Sequence, residues 1–293
     1  MNRIKILFLA LLGEITKFAC HLGFYPIKYA LNTTNKRSCQ VVVSLTSYGR
    51  RVSAVLPYTI VSLLRQTYKP DVVVLWLDYD NWNDDNLPKS LKKLQKKGLT
   101  IRYCEDLKSY KKLIPALETY PDALIITVDD DIYYKRNMVE RLVKAYEDDS
   151  RFIYSHRAHE IKFAPNGDLL PYNSWEEEIS GFSGRFVFPT SGGGCLYKRQ
   201  LLYKDICNKE LFMNLAPKAD DVWFYFMEVM QNTSCKVLPY KGYIYIPLDA
   251  FYQHFHQGSS LASTNCNELQ NDVQIKAVME YYGLMAKDLK IEK

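Results

Sequence analysis

The sequence predicts an α/β fold with a mostly parallel central sheet flanked by helices, and three observations carry that reading. Four apolar runs of strand length, Gln40–Leu45, Asp71–Leu77, Leu99–Cys104 and Ala123–Val128, are rich in Val, Ile and Leu. Stretches with helical spacing separate them, which favours right-handed crossovers between parallel strands. Each run ends in polar residues: Thr46-Ser47, Asp78-Tyr79-Asp80, Glu105-Asp106 and Asp129-Asp130-Asp131. Open sheets of this kind bind ligands at the carboxyl ends of their strands, so these loops are expected along one edge.

Ahead of the sheet, residues 3–22 read RIKILFLALLGEITKFACHL. The apolar run Ile6–Leu12 is too short to span a bilayer, which takes about 20 residues. On a helical projection Arg3, Glu14, Lys17 and His21 share one narrow face; Ile4, Phe8, Leu11, Ile15, Phe18 and Leu22 fall opposite. That pattern predicts an amphipathic helix on a membrane surface. Two rivals stay open. One is a secretory signal, although no small-residue cleavage site follows. The other is a helix packed on the body or on a partner subunit.

Within the body, the first strand leads through Thr46–Arg51 into a helix over Val52–Tyr68, with Pro57 in its first turns and a stop at Lys69-Pro70. A Lys-rich helix over Leu87–Lys97 closes at Gly98. A helix over Ser109–Tyr120 is interrupted or started by Pro115. Beyond about residue 150 the pattern changes. Residues 151–195 are irregular, aromatic and glycine-rich; a helix opens at Asp220-Asp221; residues 236–256 read as two short strands ending in YQHFHQ; a last helix covers Glu268–Tyr282. This second half is expected to complete the sheet and lay loops over its active edge.

Five groupings carry candidate chemistry. On an extended strand, Asp129 and Asp131 share a face and Asp130 points away, which sets two carboxylates side by side. Like charges that close call for a cation, and hard oxygens suit Mg²⁺ or Mn²⁺. Asp220 and Asp221 at a helix start exceed what an N-cap needs, leaving one as a candidate general base. His254 and His256, two apart on an extended segment, would share a face and add a ligand to the metal. Arg50-Arg51 and Lys111-Lys112 are either surface charge or cations for a leaving diphosphate. Gly192-Gly193-Gly194 lacks the spacing of a phosphate-binding loop and reads as a close approach.

In order along the chain, VSLTSYGRR, SYKKLIPAL, TVDDD, SGGG and ADDVWF resemble the GT-A-fold glycosyltransferases, closest to the family 2-type bacterial enzymes of capsule and lipopolysaccharide synthesis. The resemblance covers about residues 40–260. It implies a GT-A, Rossmann-like sheet, with Thr46, Ser47 and Tyr48 holding the nucleotide and Asp78 or Asp80 contacting base or ribose. By the same resemblance Asp129–Asp131 binds a metal on the diphosphate. Asp131 is then the direct ligand, Asp129 or Asp130 contacts ribose and sugar, and His254 or His256 completes the shell. Asp221, beside Asp220, becomes the base. The family's usual Glu-Asp is Asp-Asp here. The implied reaction is a metal-dependent, inverting transfer from a nucleotide sugar, by family habit a UDP-sugar, to a glycan or lipid-linked acceptor in surface polysaccharide synthesis. Retention is the near rival, but no H-x-x-G-x-K-P-W-like motif of retaining relatives is present, only HFHQGSS. A sugar nucleotidyltransferase would carry a G-x-G-T-R-like loop where SLTSYGRR stands. A non-catalytic carbohydrate- or membrane-binding protein would need neither Asp221 nor a metal. The division expected is a membrane-associating segment over 1–37, a nucleotide-sugar half over 38–150 and an acceptor-and-base half over 151–293.

Composition bounds the partners. The 293 residues are 47% hydrophobic and 24% charged, ordinary for a globular chain with a large core. The formal net charge of +5 falls wholly within residues 1–37, where Arg3, Lys5, Lys17, Lys28, Lys36 and Arg37 face one acid, Glu14. A neutral body with a basic, apolar leader argues against nucleic acid and for an anionic membrane surface. Seven cysteines without a C-x-x-C pair suit reduced thiols. Together these place the protein in the cytoplasm, peripheral on the cytoplasmic face of the inner membrane. The 23 tyrosines fit either packing or stacking on sugar rings.

Overall fold

The computed structural model describes residues 3–27, 30–32, 37–240, 245–255 and 270–290, with the backbone alone for 3–6 and His254. Among them no helix is long and apolar enough to cross a membrane. The chain gathers into two units, Met1–Arg141 with Lys241–His256, and Leu142–Tyr240 with Gln257–Lys293.

The first unit is built on four parallel strands. They are β1 (Val41–Thr46), β2 (Val72–Asp78), β3 (Leu99–Cys104) and β4 (Leu124–Thr127), in spatial order β3-β2-β1-β4. Val43 sits between Val73 and Ile126. Val41, Val42, Val43 and Leu45 are buried on both faces, which is why the run is continuous rather than alternating. Each such side chain stabilises the sheet by roughly 1.5–3 kcal/mol. Helix α1 (Arg3–His21) precedes the sheet, and α4 (Lys89–Gln95) links β2 to β3.

The expected Val52–Tyr68 helix is split into α2 (Arg51–Ala54) and α3 (Leu56–Leu64). Pro57 donates no N–H and its ring excludes the carbonyl four residues back, so the backbone turns at Val55, φ −131°. Pro115 acts alike: a 3₁₀ turn, Lys108–Lys112, precedes α5 (Ile114–Thr119).

Two features of this unit differ from expectation. A strand β5 (Ile132–Tyr134) follows the aspartates and pairs antiparallel with Tyr245–Pro247, the strand named β12 below. The segment expected to run on as a strand to YQHFHQ is instead helix α9 (Ala250–Phe255). The carbonyl of Asp249 accepts the N–H of Gln253 at 3.0 Å as that helix begins. His254 therefore sits on a helix, not on an extended segment, and His256 lies outside the described residues.

Helix α6 (Met138–Asp148) carries the chain into the second unit. There β6 (Ile153–Ser155), β8 (Ser183–Gly184), β10 (Cys195–Tyr197) and β11 (Cys235–Val237) lie in the order β10-β6-β11-β8. Only the β6–β11 pair is parallel. A separate antiparallel pair joins β7 (Ala158–Glu160) and β9 (Val187–Pro189). The stretch 151–195 is largely irregular, as expected, but short strands punctuate it. Its strands span two or three residues each, too few to show a period. Helices α7 (Lys209–Leu215), α8 (Asp220–Met230) and α10 (Gln270–Tyr282) complete the unit, with β12 falling between α8 and α9 in sequence. Across the two units Tyr110, Tyr134, Tyr154, Tyr197 and Tyr225 are fully buried, so much of the tyrosine surplus is core.

Candidate active site

The carboxyl edge of the parallel sheet is a dense charged cluster. Strand β4 ends at Thr127, so strict alternation stops before the aspartates. Asp130 is the buried one: it accepts from Ser47 Oγ at 2.5 Å and from Arg51 at 2.9 Å, and its carbonyl accepts from Thr59 Oγ1 at 2.8 Å. Asp131 accepts from Arg51 at 3.1 Å and from Gln253 at 3.0 Å. Asp129 pairs with Lys112 at 2.8 Å. The expected pairing of Asp129 with Asp131 gives way to one in which a single guanidinium joins Asp130 to Asp131. That guanidinium also lies 3.6 Å from Asp249, which bonds Arg50 as well. Arg50 stacks on Tyr252, 3.4 Å from the ring centre.

Four carboxylates thus meet three cations, Arg50, Arg51 and Lys112. Burial, outweighing Arg51 and aided by the neighbouring carboxylates, pushes Asp131 up to about 7. Burial likewise raises Asp130. Among the described residues no three of His, Cys, Asp and Glu stand grouped to hold a metal ion. The donor chemistry still fits a hard divalent cation. The carboxylates are hard oxygen donors, and the side chains of Asp129 and Asp131 remain 36% and 17% exposed.

The other expected residues of this unit divide. Lys111 and Lys112 are buried rather than surface charge; Lys111 bonds Asp106 and lies 3.8 Å from Asp78. Asp78 accepts from the backbone and side chain of Asn81 at 2.9 and 2.6 Å, while Asp80 is exposed. Thr46 Oγ1 donates to the Trp76 carbonyl, and Tyr48 projects into solvent beside Arg51. Asp249 and Gln253 were not foreseen. The Asp at the head of PLDAFYQ is a helix-start signal that the apolar residues before it mask as strand.

In the second unit, Asp220 and Asp221 occupy the first turn of α8 behind the N-cap Ala219, so neither is the cap itself. A carboxylate is favoured there by the unsatisfied N–H groups and the helix dipole. Ser191 donates to Asp221 Oδ1 twice, from its backbone N–H at 3.1 Å and its Oγ at 2.7 Å. Asp220 is buried, and Asp221 is the more accessible of the two. Ser191 opens the Ser191–Gly193 turn, which explains the triple glycine. A Cβ at Gly193 would stand 2.5 Å from Arg157 Cβ, so only glycine lets the turn close on that residue.

Seven residues beyond Asp221 on α8, Glu228 is 1% exposed, and neither carboxyl oxygen has a hydrogen-bond partner among the described residues. Burial first, and Asp221 second, raise it well above the ordinary glutamate value. The folded chain therefore keeps a proton that the unfolded chain releases. The stability this group contributes is full below about 4.5 and is lost as pH rises from there toward the folded value. Glu228→Gln, neutral at every pH, is expected to match wild type near pH 4.5. It should exceed it by on the order of 1–3 kcal/mol on the alkaline side. Melting curves from pH 4.5 to about 8.5 check this; curves that stay parallel would rule it out.

The glycosyl transferase family 2 profile matches residues 43–209, more than half of the chain, and the protein belongs to that family. It is accordingly a glycosyltransferase that uses a nucleotide sugar. No curated protein sequence matches it. Among solved structures, one of CMP:2-keto-3-deoxy-manno-octonic acid synthetase complexed with CTP is similar. It is 13% identical, with a TM-score of 0.41, over 70% of this chain and 91% of that one.

Proposed function

We propose that the protein is a metal-dependent, inverting glycosyltransferase. It moves a sugar from a UDP-sugar to a hydroxyl of a glycan or lipid-linked glycan for surface polysaccharide, working peripherally on the cytoplasmic face of the inner membrane. The observation that carries this reading is the charged edge of the parallel sheet, where cations and carboxylates stand together at the strand ends of a family 2 chain.

Tyr48 and Arg50 flank the donor, with Thr46 and Ser47 shaping the loop beneath. Asp78 and Asp80 receive the base and ribose, and Asp129 and Asp130 the ribose and sugar. Lys111, Lys112 and Arg51 oppose the charge that builds on the departing diphosphate. A divalent cation, when bound, adds Lewis-acid stabilisation of that leaving group. Asp129 and Asp131, whose side chains reach solvent, are the residues that would hold it, with His254 or His256 as further ligand. Asp221, oriented by Ser191, takes the proton of the attacking hydroxyl, and attack from the face opposite the leaving group inverts the anomeric centre.

A panel of nucleotide sugars, each with and without Mn²⁺ or Mg²⁺, tests this by thermal stabilisation and by product formation. Binding at about 100-fold excess over Kd adds about 2.7 kcal/mol to apparent stability. The donor is expected to do so only with metal, and Asp131→Asn to abolish the metal effect. No stabilisation and no turnover across the panel would reject the proposal.

A further inference from the structure

Helix α1 has two working faces. Leu7, Phe8, Leu11, Ile15, Phe18 and Leu22 form one row along it, each 53–65% exposed. Six large apolar side chains at helical spacing are a continuous stripe, not scattered surface residues. On the inward side Leu9, Ala10 and Thr16 are buried, and Gly13 lies directly on the Pro247 carbonyl. A Cβ at residue 13 would come within 2.2 Å of that oxygen. The helix is thus packed on the body while its apolar stripe faces outward.

What the inward face touches leads to the charged edge. Pro247 ends β12, and the next two residues engage the aspartate turn. The Leu248 N–H donates to the Asp131 carbonyl at 2.7 Å, and Asp249 bonds Arg50 and lies beside Arg51. Gln253, one turn into α9, holds the Asp131 carboxylate. Cys20 of α1 packs with Leu248, Val55 and Tyr133 in the same apolar cluster.

The occupant is indicated by charge. Of the six basic residues in 1–37, Lys17 is paired with Glu14 and Arg37 with Asp71. In sequence, Arg3 and Lys5 precede the apolar row, and Lys28 and Lys36 follow it. An apolar stripe flanked along the chain by basic residues fits an anionic bilayer surface, where the side chains enter the acyl boundary and the cations meet headgroups.

We propose that the outward row of α1 seats on an anionic lipid surface, and that the seated helix braces residues 247–253 against the aspartate turn, so that lipid binding orders the donor edge. This deepens the membrane reading of the proposed function and rests on it.

The test uses the full chain in vesicle flotation, with phosphatidylcholine alone and with phosphatidylcholine–phosphatidylglycerol. Wild type is expected to float with the anionic vesicles and to be released by salt. Leu11→Asp with Phe18→Asp, both at exposed positions, should reduce flotation roughly tenfold or more while leaving the melting temperature near that of wild type. Hydrogen exchange at the Leu248 and Gln253 amides should slow when wild type is vesicle-bound. Equal flotation of the variant, equal flotation on neutral vesicles, or exchange unmoved by lipid would overturn the proposal. So would a lipid-indifferent dimer that the two aspartates split, since a second copy would then cover the row. None of these readouts involves a nucleotide sugar. Failure of transfer therefore leaves them standing, and their failure leaves the transferase standing.

Discussion

Replacing Asp221 with Asn is expected to lower kcat by about 10²–10⁴ while leaving donor binding intact. Asn fills the same space and still accepts the two Ser191 hydrogen bonds, so the turn at Ser191–Gly193 and the first turn of α8 keep their geometry. What is lost is the proton-accepting role proposed for Asp221. Donor affinity, read by thermal stabilisation with the nucleotide sugar, should stay within about twofold, because Asp221 belongs to the other unit from the charged edge. Asp220→Asn should do less to kcat, since Asp220 is buried. Ser191→Ala should fall between, with its loss confined to kcat, as expected of a residue that orients the proposed base. Transfer by Asp221→Asn at a third or more of the wild-type rate would move the base elsewhere.

Replacing Arg51 with Ala is expected to be the most destabilising single change in the first unit, by about 3–5 kcal/mol. One guanidinium faces three carboxylates, Asp130, Asp131 and Asp249, and its side chain is 18% exposed. Removing it leaves Arg50 on Asp249, Ser47 on Asp130 and Gln253 on Asp131 as their remaining described partners. Arg51→Lys should recover only part of the loss, because one ammonium cannot span the three carboxylates as the planar fork does. The sign with pH follows from the carboxylates. Without Arg51 their folded-state values rise further, so the deficit should shrink in acid, where they are protonated in both states, and grow toward neutrality. Urea titrations at pH 5 and 8 read both effects. An Arg51→Ala midpoint within about 1 kcal/mol of wild type at pH 8 would show that the clamp contributes little.

The parallel strands were legible because each is a run of β-branched or aliphatic residues buried on both faces, and the turn residues after them are polar. Val72–Asp78 and Leu99–Cys104 lie within a residue of their expected bounds. The β5–β12 pair was not legible. Its strands, IYY and YIP, are three residues each and lie more than a hundred residues apart, so neither local period nor turn chemistry reports their pairing. The aspartate triplet was found, but its orientation was not. Strand alternation sets Asp130 opposite Asp129 and Asp131, but the strand ends at Thr127, and Asp130 is the buried member, sharing Arg51 with Asp131. Ser47 and Arg50 were expected on other grounds, and the structure places both beside these aspartates or their partners. Asp249 escaped notice because it reaches Arg50 and Arg51 only through the chain's late return to the first unit.

That return has a consequence for how the molecule is made. Arg50 and Asp249 are 199 residues apart. At about 5–20 residues per second, a ribosome takes on the order of 10–40 s to deliver the carboxylate after the arginine has emerged. During that interval the edge of β5 lacks β12, and the arginines lack Asp249. The first unit is therefore completed only after the second unit's strands have left the tunnel. A nascent chain arrested near residue 240 should be held by chaperones or cleared by proteases, whereas one arrested some tens of residues past 255 should resist digestion.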